Sequence, residues 1–491
     1  MATQIARDRV RRRPKVPNGA SRALAWSFLN TAVSRFGTLG IGIVLARILG
    51  PQSYGTFAVA MVALLAVLSF NELGVSLAIV RWPEDPRRIA PTVSTISIAC
   101  SSIFCVFGLI AAPAFSAAMG DPGATGVVRV LMFSVLVSGI VATPAALLQR
   151  NFDQKTRMAI DQVNVWLGAV ISIVLAVAGM GAMSLAVGRL AGTVVSGVLF
   201  IAKSPLPLRF GLDTEYLKPL LRFGMPLAGT SIIVFSVGYL DQLVAGNLLG
   251  PVMLGFYVLA VNLANWPVSL FSQPLRSVAP AALSRLQHDP RQMQRTLISL
   301  IGVVAAVAFP AVAFIAAAAR PLVVLVYGNP WAAAAGALGG LALLAGFRIL
   351  FELLYDYLVV VGMAGSIMTT QILWLIALVP ALLLGVSAGG LPGIAYAQLL
   401  VAAFVVLPLY LWRLHRAGIG PGAVFSHTWL PTLSAAVVLL LCSLMFSWIP
   451  SVPLGLGIAA LVTVVTVAGL IAAQRTDLSQ LLRVGRGDKD E

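Results

Sequence analysis

The sequence predicts an all-α polytopic membrane protein: about fourteen transmembrane helices, in two parallel-repeat six-helix lobes followed by two C-terminal helices. Three observations predict it: the composition, the placement of the basic residues, and an internal repeat. Of 491 residues, 59% are hydrophobic and only 10% are charged. A soluble chain carries about 45–50% apolar and about 25% charged residues, so a water-soluble fold is excluded. A spanning helix takes roughly 20 apolar residues, and fourteen of them use about 280.

Hydropathy places the spans at about 24–47, 54–80, 90–112, 127–149, 160–180, 183–202, 222–246, 252–279, 297–318, 335–361, 366–386, 393–413, 428–449 and 453–473. Two short apolar pieces near Pro321 and Trp331 either cap span 9 or lie along the interface. The chain divides into a basic arm (1–22), a first lobe (23–202), a connecting loop (203–221), a second lobe (222–413), spans 13 and 14 (428–473) and a tail (474–491). The apolar run after the arm is too long for a signal-peptide core, so the arm is expected to stay in the mature protein.

The net charge of +16 raises the question of nucleic acid, and its distribution answers it. With the N-terminus inside, the arm, the alternate loops and the tail hold 27 of the 33 Lys and Arg residues. That is the positive-inside pattern, with both termini cytoplasmic; a nucleic-acid partner is not implied. Trp26, Trp82, Trp412 and Trp429 fall at inner boundaries and Trp331 and Trp448 at outer ones, as interface anchors do.

Most enzymes are excluded by the same arithmetic. The longest internal polar stretches hold 19 residues (203–221) and 17 residues (280–296), below the roughly 40 residues an independent domain needs. No Gly-Lys pair occurs, so there is no P-loop. Cys100, Cys105 and Cys442 lie in apolar runs and are read as packing residues. Gly385-Val-Ser387-Ala-Gly389 fits the nucleophile-elbow pattern, but it lies at an outer helix end while His288, His415 and His427 lie at the inner face. Those histidines are too scattered for a metal site. No cofactor is implied.

The repeat appears when the chain is laid on itself at an offset of 200 residues. Leu49-Gly50-Pro51, Gly55, Phe57 and Ala60 align with Leu249-Gly250-Pro251, Gly255, Tyr257 and Ala260, in the outer turn after spans 1 and 7. Gly-Pro ends one helix, and the later Gly lets the next pack closely. Six spans separate the copies, an even number, so the halves share an orientation and pack about an axis along the membrane normal, with substrate expected at their interface.

The Leu-Gly-Pro-x-x-x-Gly-x-[Phe/Tyr] turn, the basic arm and the fourteen spans together resemble the polysaccharide flippases of the multidrug/oligosaccharidyl-lipid/polysaccharide exporter superfamily, in particular its Wzx-type and exopolysaccharide-export members. The resemblance implies a cationic central cavity for a lipid-linked diphosphate sugar, with Arg35 on span 1 fitting it best. It also implies that spans 13 and 14 shelter the lipid tail.

Ionisable groups at bilayer depth cost roughly 2.5–3.5 kcal/mol each and usually face an interior cavity. The candidates are Arg35 on span 1, Glu72 on span 2, Asp241 on span 7, and Arg348, Glu352 and Asp356 at i, i+4 and i+8 on span 10. On the functional reading Arg35, Arg348, Glu352 and Asp241 line the substrate cavity. The two arginines would take an anionic head group, while Asp241, Glu352, Asp356 and Glu72 are candidates for a coupling proton or cation. On the structural reading Arg348 and Glu352 form a buried ion pair, and Glu72 and Asp356 are simply wet. Arg47, Arg129 and Arg189, near the outer boundary, are expected to snorkel to head groups. Prolines at 144, 226, 267, 274, 310 and 380 are candidate kinks, and Gly188-x-x-x-Gly192 and Gly246-x-x-x-Gly250 read as close helix contacts within the protein.

These expectations converge on a non-enzymatic flippase of a bacterial inner membrane. It would move an undecaprenyl-diphosphate-linked sugar unit by alternating access, for lipopolysaccharide O-antigen or exopolysaccharide biosynthesis. Expected partners are the lipid-linked oligosaccharide, membrane lipids, and polysaccharide polymerase and export machinery. The alternatives are an ion-coupled multidrug exporter of the same superfamily, with twelve spans, or a membrane-embedded polymerase or ligase, which would need a large outer loop.

Overall fold

A computed structural model describes residues 20–71, 75–81, 85–266, 268, 289–449 and 451–475. Among the described residues, eleven helical stretches are long and apolar enough to cross a membrane. Two of these bend into two helices at a glycine in the left-handed region, Gly50 (φ 68°) and Gly390 (φ 57°), and Pro251–Trp266 is a further apolar helix. Among the described residues this gives fourteen apolar helices of spanning character. In chain order they and two short helices are α1 (20–49), α2 (51–71), α3 (Val75–Arg81), α4 (Pro86–Ala118), α5 (Thr125–Arg150), α6 (Gln154–Val177), α7 (Ala182–Lys203), α8 (Thr214–Leu249) and α9 (Pro251–Trp266). Then follow α10 (Pro290–Ala317), α11 (Ala319–Tyr327), α12 (Ala334–Val360), α13 (364–389), α14 (391–416), α15 (Pro421–Trp448) and α16 (Val452–Ala473).

The helix ends on the basic face are set by the few acidic residues there. Asp85, Asp153, Asp213 and Asp289 each stand just before a helix and accept from a backbone N–H of its first turn, at 2.9–3.2 Å. A carboxylate there satisfies an orphan donor and meets the positive end of the helix dipole. The cap at Asp213 starts α8 at Thr214, well before the expected start of span 7. The preceding segment is strapped to α4 instead of looping free: Thr95 Oγ1 donates to Gly211 O (2.9 Å), and Asp213 N donates to Thr92 Oγ1 (3.1 Å).

Small residues set the helix crossings. A Cβ on Gly188 of α7 would stand 2.5 Å from Gly168 O of α6, and one on Gly192 would stand 2.5 Å from Asn164 O, so the first small-residue motif is an internal contact. Gly385, from the nucleophile-like pattern, is likewise a packing residue: its Cβ would lie 2.5 Å from Gly393 O on α14. Pro144 and Pro310 sit inside continuous helices; Pro267 and Pro274 lie outside the described residues.

The face opposite the basic one (the far face) is where the repeat acts. Gly50 and Gly250 turn the chain at equivalent places, and the helices they start, α2 and α9, cross at Gly55 and Gly255. A Cβ on Gly55 would lie 2.2 Å from Pro251 O, and one on Gly255 would lie 2.9 Å from Gly55 Cα and 3.0 Å from Pro51 O. The two copies meet each other, so the repeat axis passes beside them. Positions 47 and 247, also equivalent in the repeat, reach across the same junction. Arg47 donates from Nε to Val326 O and from Nη2 to Leu325 O, both at 2.8 Å. Asn247 Nδ2 donates to Ala118 O at 2.6 Å. Each caps the last carbonyls of a helix in the other lobe.

Two expectations are corrected here. Arg47 does not snorkel to head groups, because helix-end carbonyls of α11 lie within its reach. Trp331 is 1% exposed and is no interface anchor. It packs edge-on to Tyr54 of the first lobe (centroids 5.4 Å apart) and Phe256 of the second (5.8 Å). The pieces near Pro321 and Trp331 are α11 and a 3₁₀ turn, Asn329–Trp331, which close this junction. Trp448, at 83% exposed, fits the anchor role, and Trp412 carries the Arg416 guanidinium 3.9 Å over its ring.

Gly55→Ala is expected to drive a methyl into Pro251 O and to disfavour far-face closure by about 1–3 kcal/mol, the usual cost of overpacking. The check is reactivity of a single cysteine at position 56, with the native cysteines replaced, toward an impermeant maleimide in right-side-out and inverted vesicles. Labelling from the far-face side should rise several-fold; unchanged labelling would contradict a glycine-dependent closure.

Candidate functional site

Beneath the far-face junction, α8, α9, α12 and α14 converge on a polar cluster in an otherwise apolar interior. Its centre is Asp241 of α8, 2% exposed. Tyr257 Oη of α9 donates to Asp241 Oδ2 at 2.7 Å, and Gln398 Nε2 of α14 donates to the same oxygen at 3.1 Å. The backbone N–H of Gln242 donates to Oδ1 at 2.8 Å. Gln398 Nε2 also meets Tyr257 Oη. Arg348 of α12 stands one layer further out, with long hydrogen bonds from Nη2 to Gln398 Oε1 (3.5 Å) and from Nη1 to Asn265 Oδ1 (3.3 Å). Gln398 thus links carboxylate and guanidinium, which do not touch.

A buried carboxylate needs donors to replace water, and here they are neutral. The arrangement can therefore exchange its charge for a proton, or screen it with a small cation, without breaking a direct ion pair.

The structure unites two of the sequence candidates, Asp241 and Arg348, and separates the others. Arg348 points to Asn265 and Gln398, so the i, i+4 ion pair with Glu352 does not form; the cross-helix amides offer acceptors fixed by packing. Glu352 keeps one buried carboxylate oxygen, Oε2, without a hydrogen-bond partner. Asp356, expected to be wet on one reading, is buried at 8% exposed. Arg35 lies on α1, but its side chain is outside the described residues, as is all of Glu72. Tyr257, Gln398 and Asn265 escaped the sequence reading because they are uncharged. A comparison of the two repeat copies held the signal: Tyr257 replaces Phe57, and Asp241 replaces Ile41.

A second feature is an apolar groove of about 940 Å³ between α15 and the body of the second lobe. Phe347, Leu350, Leu399, Leu407, Phe425 and Trp429 are among its walls. Two smaller spaces lie in the first lobe. One of about 550 Å³ is lined by Ser97, Ser101, Ser138, Gln149, Arg157 and Asp161. The other, about 350 Å³, lies beside Arg87 and Arg209 under the strap. Among the described residues no three His, Cys, Asp or Glu side chains converge as a metal site.

Comparison with known proteins gives these features a context. Residues 44–336 match the family described as "Polysaccharide biosynthesis protein". The succinoglycan biosynthesis transport protein ExoT of Rhizobium meliloti (strain 1021) is 25% identical over 407 residues, covering 82% of this chain and 81% of that one. Among solved structures, the lipid II flippase MurJ in its inward closed conformation superposes with a TM-score of 0.75 at 13% identity, over 92% of this chain and 99% of that one. An inward-facing multidrug resistance MATE family transporter of the MOP superfamily superposes at 0.60 and 18% identity, over 77% and 93%. These likenesses establish the fold.

The charge–neutral wiring predicts a coupling that can be measured. Tyr257→Phe removes a charge-assisted hydrogen bond and should lower stability by about 1.5–3 kcal/mol, read as a fall in the thermal denaturation midpoint in detergent. In an Asp241→Asn background the same change should cost clearly less. Equal costs in both backgrounds would mean that the bond carries no charge-dependent energy.

Proposed function

Because the chain belongs to the polysaccharide biosynthesis protein family, we propose that it is a flippase. It carries an undecaprenyl-diphosphate-linked sugar unit from the cytoplasmic to the periplasmic leaflet of a bacterial inner membrane, for lipopolysaccharide or exopolysaccharide synthesis. On this reading the basic face is cytoplasmic, as the positive-inside rule asks. The far face, drawn shut by the two repeat copies, is periplasmic. The lobes rock about the repeat axis, so that the Gly55–Gly255 junction opens when the basic side closes.

The observation that carries the reading is the groove along α15. A twelve-span exporter of amphiphilic cations has no use for the added helix α15, which walls about 940 Å³ of almost wholly apolar space against the second lobe. A polyprenyl chain does, since each CH₂ removed from water is worth about 0.8 kcal/mol. The tail stays in the groove or in lipid while only the polar head crosses through the cleft. Arg35 and Arg348 are assigned to the head group. Asp241, with Tyr257 and Gln398, is the coupling site, driven by an ion gradient or by the membrane potential at about 2.3 kcal/mol per charge per 100 mV. Glu352, Asp356 and Glu72 are secondary coupling positions, and polymerase and export machinery would receive the product.

The decisive test is deletion with complementation, scoring surface polysaccharide and the leaflet that holds the lipid-linked sugar. The deletion should lose polysaccharide and trap the intermediate on the cytoplasmic side, with no rescue by well-expressed Arg35→Ala or Asp241→Ala. Intermediates that reach the periplasm but stay unpolymerised would point to a polymerase. Unchanged polysaccharide would point to an exporter.

The groove has its own test. Trp429→Glu places a carboxylate against apolar walls and should lower flipping of a long-tailed substrate at least tenfold, while a short-chain analogue is affected less. Equal losses for both tails would remove the groove from the pathway.

A further inference from the structure

The space of about 350 Å³ under the strap lies between the first turns of α4, the last turns of α5 and residues 204–209 of the strap itself. Its mouth and its floor differ in chemistry. Arg87 stands in the first turn of α4 and Arg209 on the strap; both are exposed and both line the space. Thr143 and Ser94 lie deeper, seven residues before the end of α5 and eight after the start of α4. At 1.5 Å per residue that is about 10 Å in from the basic face. Thr143 is 4% exposed, and its Oγ1 has no hydrogen-bond partner among the described residues. On the same two helices Ser101, Ser102 and Ser138 each donate to the carbonyl four residues back, the usual local solution for a hydroxyl inside a helix. Thr143 does not. A buried hydroxyl without a partner is costly, and this one borders a space that a ligand oxygen can enter.

The charge around the space has one sign. No Asp or Glu is among its lining residues, and neither guanidinium has a hydrogen bond or ion pair among the described residues. Asp85, the carboxylate nearest to Arg87 in sequence, is engaged as the α4 cap by the Arg87 N–H at 3.0 Å. The strap itself is tied to α4 at its α8 end, where Thr95 Oγ1 exchanges hydrogen bonds with Gly211 and Asp213 N donates to Thr92 Oγ1. Before those ties the N–H groups of Leu206, Leu208, Arg209 and Phe210 have no acceptor among the described residues. An anion held between Arg87 and Arg209 would fasten this part of the strap as well.

We propose that this space is a regulatory phosphate site. Arg87 on the helix and Arg209 on the strap take the oxygens of a small phosphate ester, the Thr143 hydroxyl donates from the floor, and occupancy pins the segment that joins the two lobes to the first of them. Guanidinium forks match phosphate oxygens. The same chemistry has two sources, the head group of a phospholipid in the leaflet on the basic side, which basic pockets between membrane helices suit, and a soluble phosphate ester. The site is separate from the buried carboxylate cluster: Asp213 and Asp241 are 28 residues apart along α8, about 40 Å at the helical rise. Its assignment is independent of what the chain transports.

The test uses the full-length protein in dodecyl maltoside, a detergent without phosphate, and reads hydrogen exchange in the strap, residues 203–213. The probes are glycerol 3-phosphate in solution and phosphatidylglycerol in the micelle. Sodium chloride at matched ionic strength and diacylglycerol are their phosphate-free counterparts. Strap exchange should slow several-fold with at least one phosphate probe and with neither counterpart; the probe that acts identifies the source as soluble or lipid. Arg87→Gln/Arg209→Gln should abolish the slowing. Arg291→Gln/Arg295→Gln, which removes the same charge from the same face at the start of α10, should keep it. Thr143→Val preserves the shape of the side chain and should weaken apparent affinity about two- to tenfold. Unchanged exchange in α10 and α12 reports that each variant is folded. The site is overturned by no slowing with either probe, by slowing that survives in Arg87→Gln/Arg209→Gln, by equal loss in Arg291→Gln/Arg295→Gln, or by wild-type affinity in Thr143→Val.

Discussion

The crossing of Gly55 and Gly255 is the contact on which the rest of the molecule depends. Two helices from different lobes can approach backbone to backbone only where neither carries a Cβ, and here each glycine faces the other copy's Pro carbonyl. That approach lets Arg47 and Asn247 reach helix-end carbonyls across the junction. It also brings Trp331 against aromatic rings of both lobes. The largest apolar core cluster runs through this region, joining Ala46, Ala58 and Val59 of the first lobe to Leu254, Tyr257 and Trp331 of the second. Three other clusters in the first lobe stay within it, while a fourth packs α3, α4 and α5 against Leu220 of α8 near the basic face. The lobes therefore share packing at both ends, most extensively at the far-face junction.

The two halves share a mechanical part and differ in their chemistry. Gly50, Pro51 and Gly55 are matched by Gly250, Pro251 and Gly255, but Ile41 and Phe57 stand where the second copy has Asp241 and Tyr257. The carboxylate and its phenol partner are confined to the second lobe, and the amide that completes them, Gln398, also comes from it. The repeat is thus symmetric where it packs and asymmetric where it carries charge.

Much of this was legible in the sequence. Fourteen hydropathic spans, the alternation of basic loops and the offset of 200 residues specify the fold, because lipid leaves the backbone few options other than helices. The small-residue motif at Gly188 and Gly192 also read correctly as a helix contact. Rules that treat a boundary arginine or tryptophan as a head-group anchor failed at Arg47 and Trp331. Such rules consider one helix in lipid, and both side chains meet a second helix. The i, i+4 rule failed at Arg348 and Glu352 for a related reason: Asn265 and Gln398 compete for the guanidinium from other helices. Neutral partners such as Gln398 leave no mark in a hydropathy profile at all.

The site and the junction share a helix, and that bears on how they communicate. Tyr257 and Gly255 lie two residues apart on α9, within a rigid apolar segment. The Tyr257 hydroxyl is tied to Asp241 at 2.7 Å, and a bond of that kind is strong while the carboxylate is charged and weaker once it is neutral. A change of charge at Asp241 thus alters the restraint on α9 less than one turn from the glycine that closes the far face. No long chain of side chains is needed to connect them. Gly255 tolerates almost no displacement, since its nearest neighbours are backbone atoms of the other lobe. A small release at Tyr257 is therefore delivered where packing is least forgiving, and the repeat's tight crossing becomes the part of the molecule most sensitive to the state of the buried carboxylate.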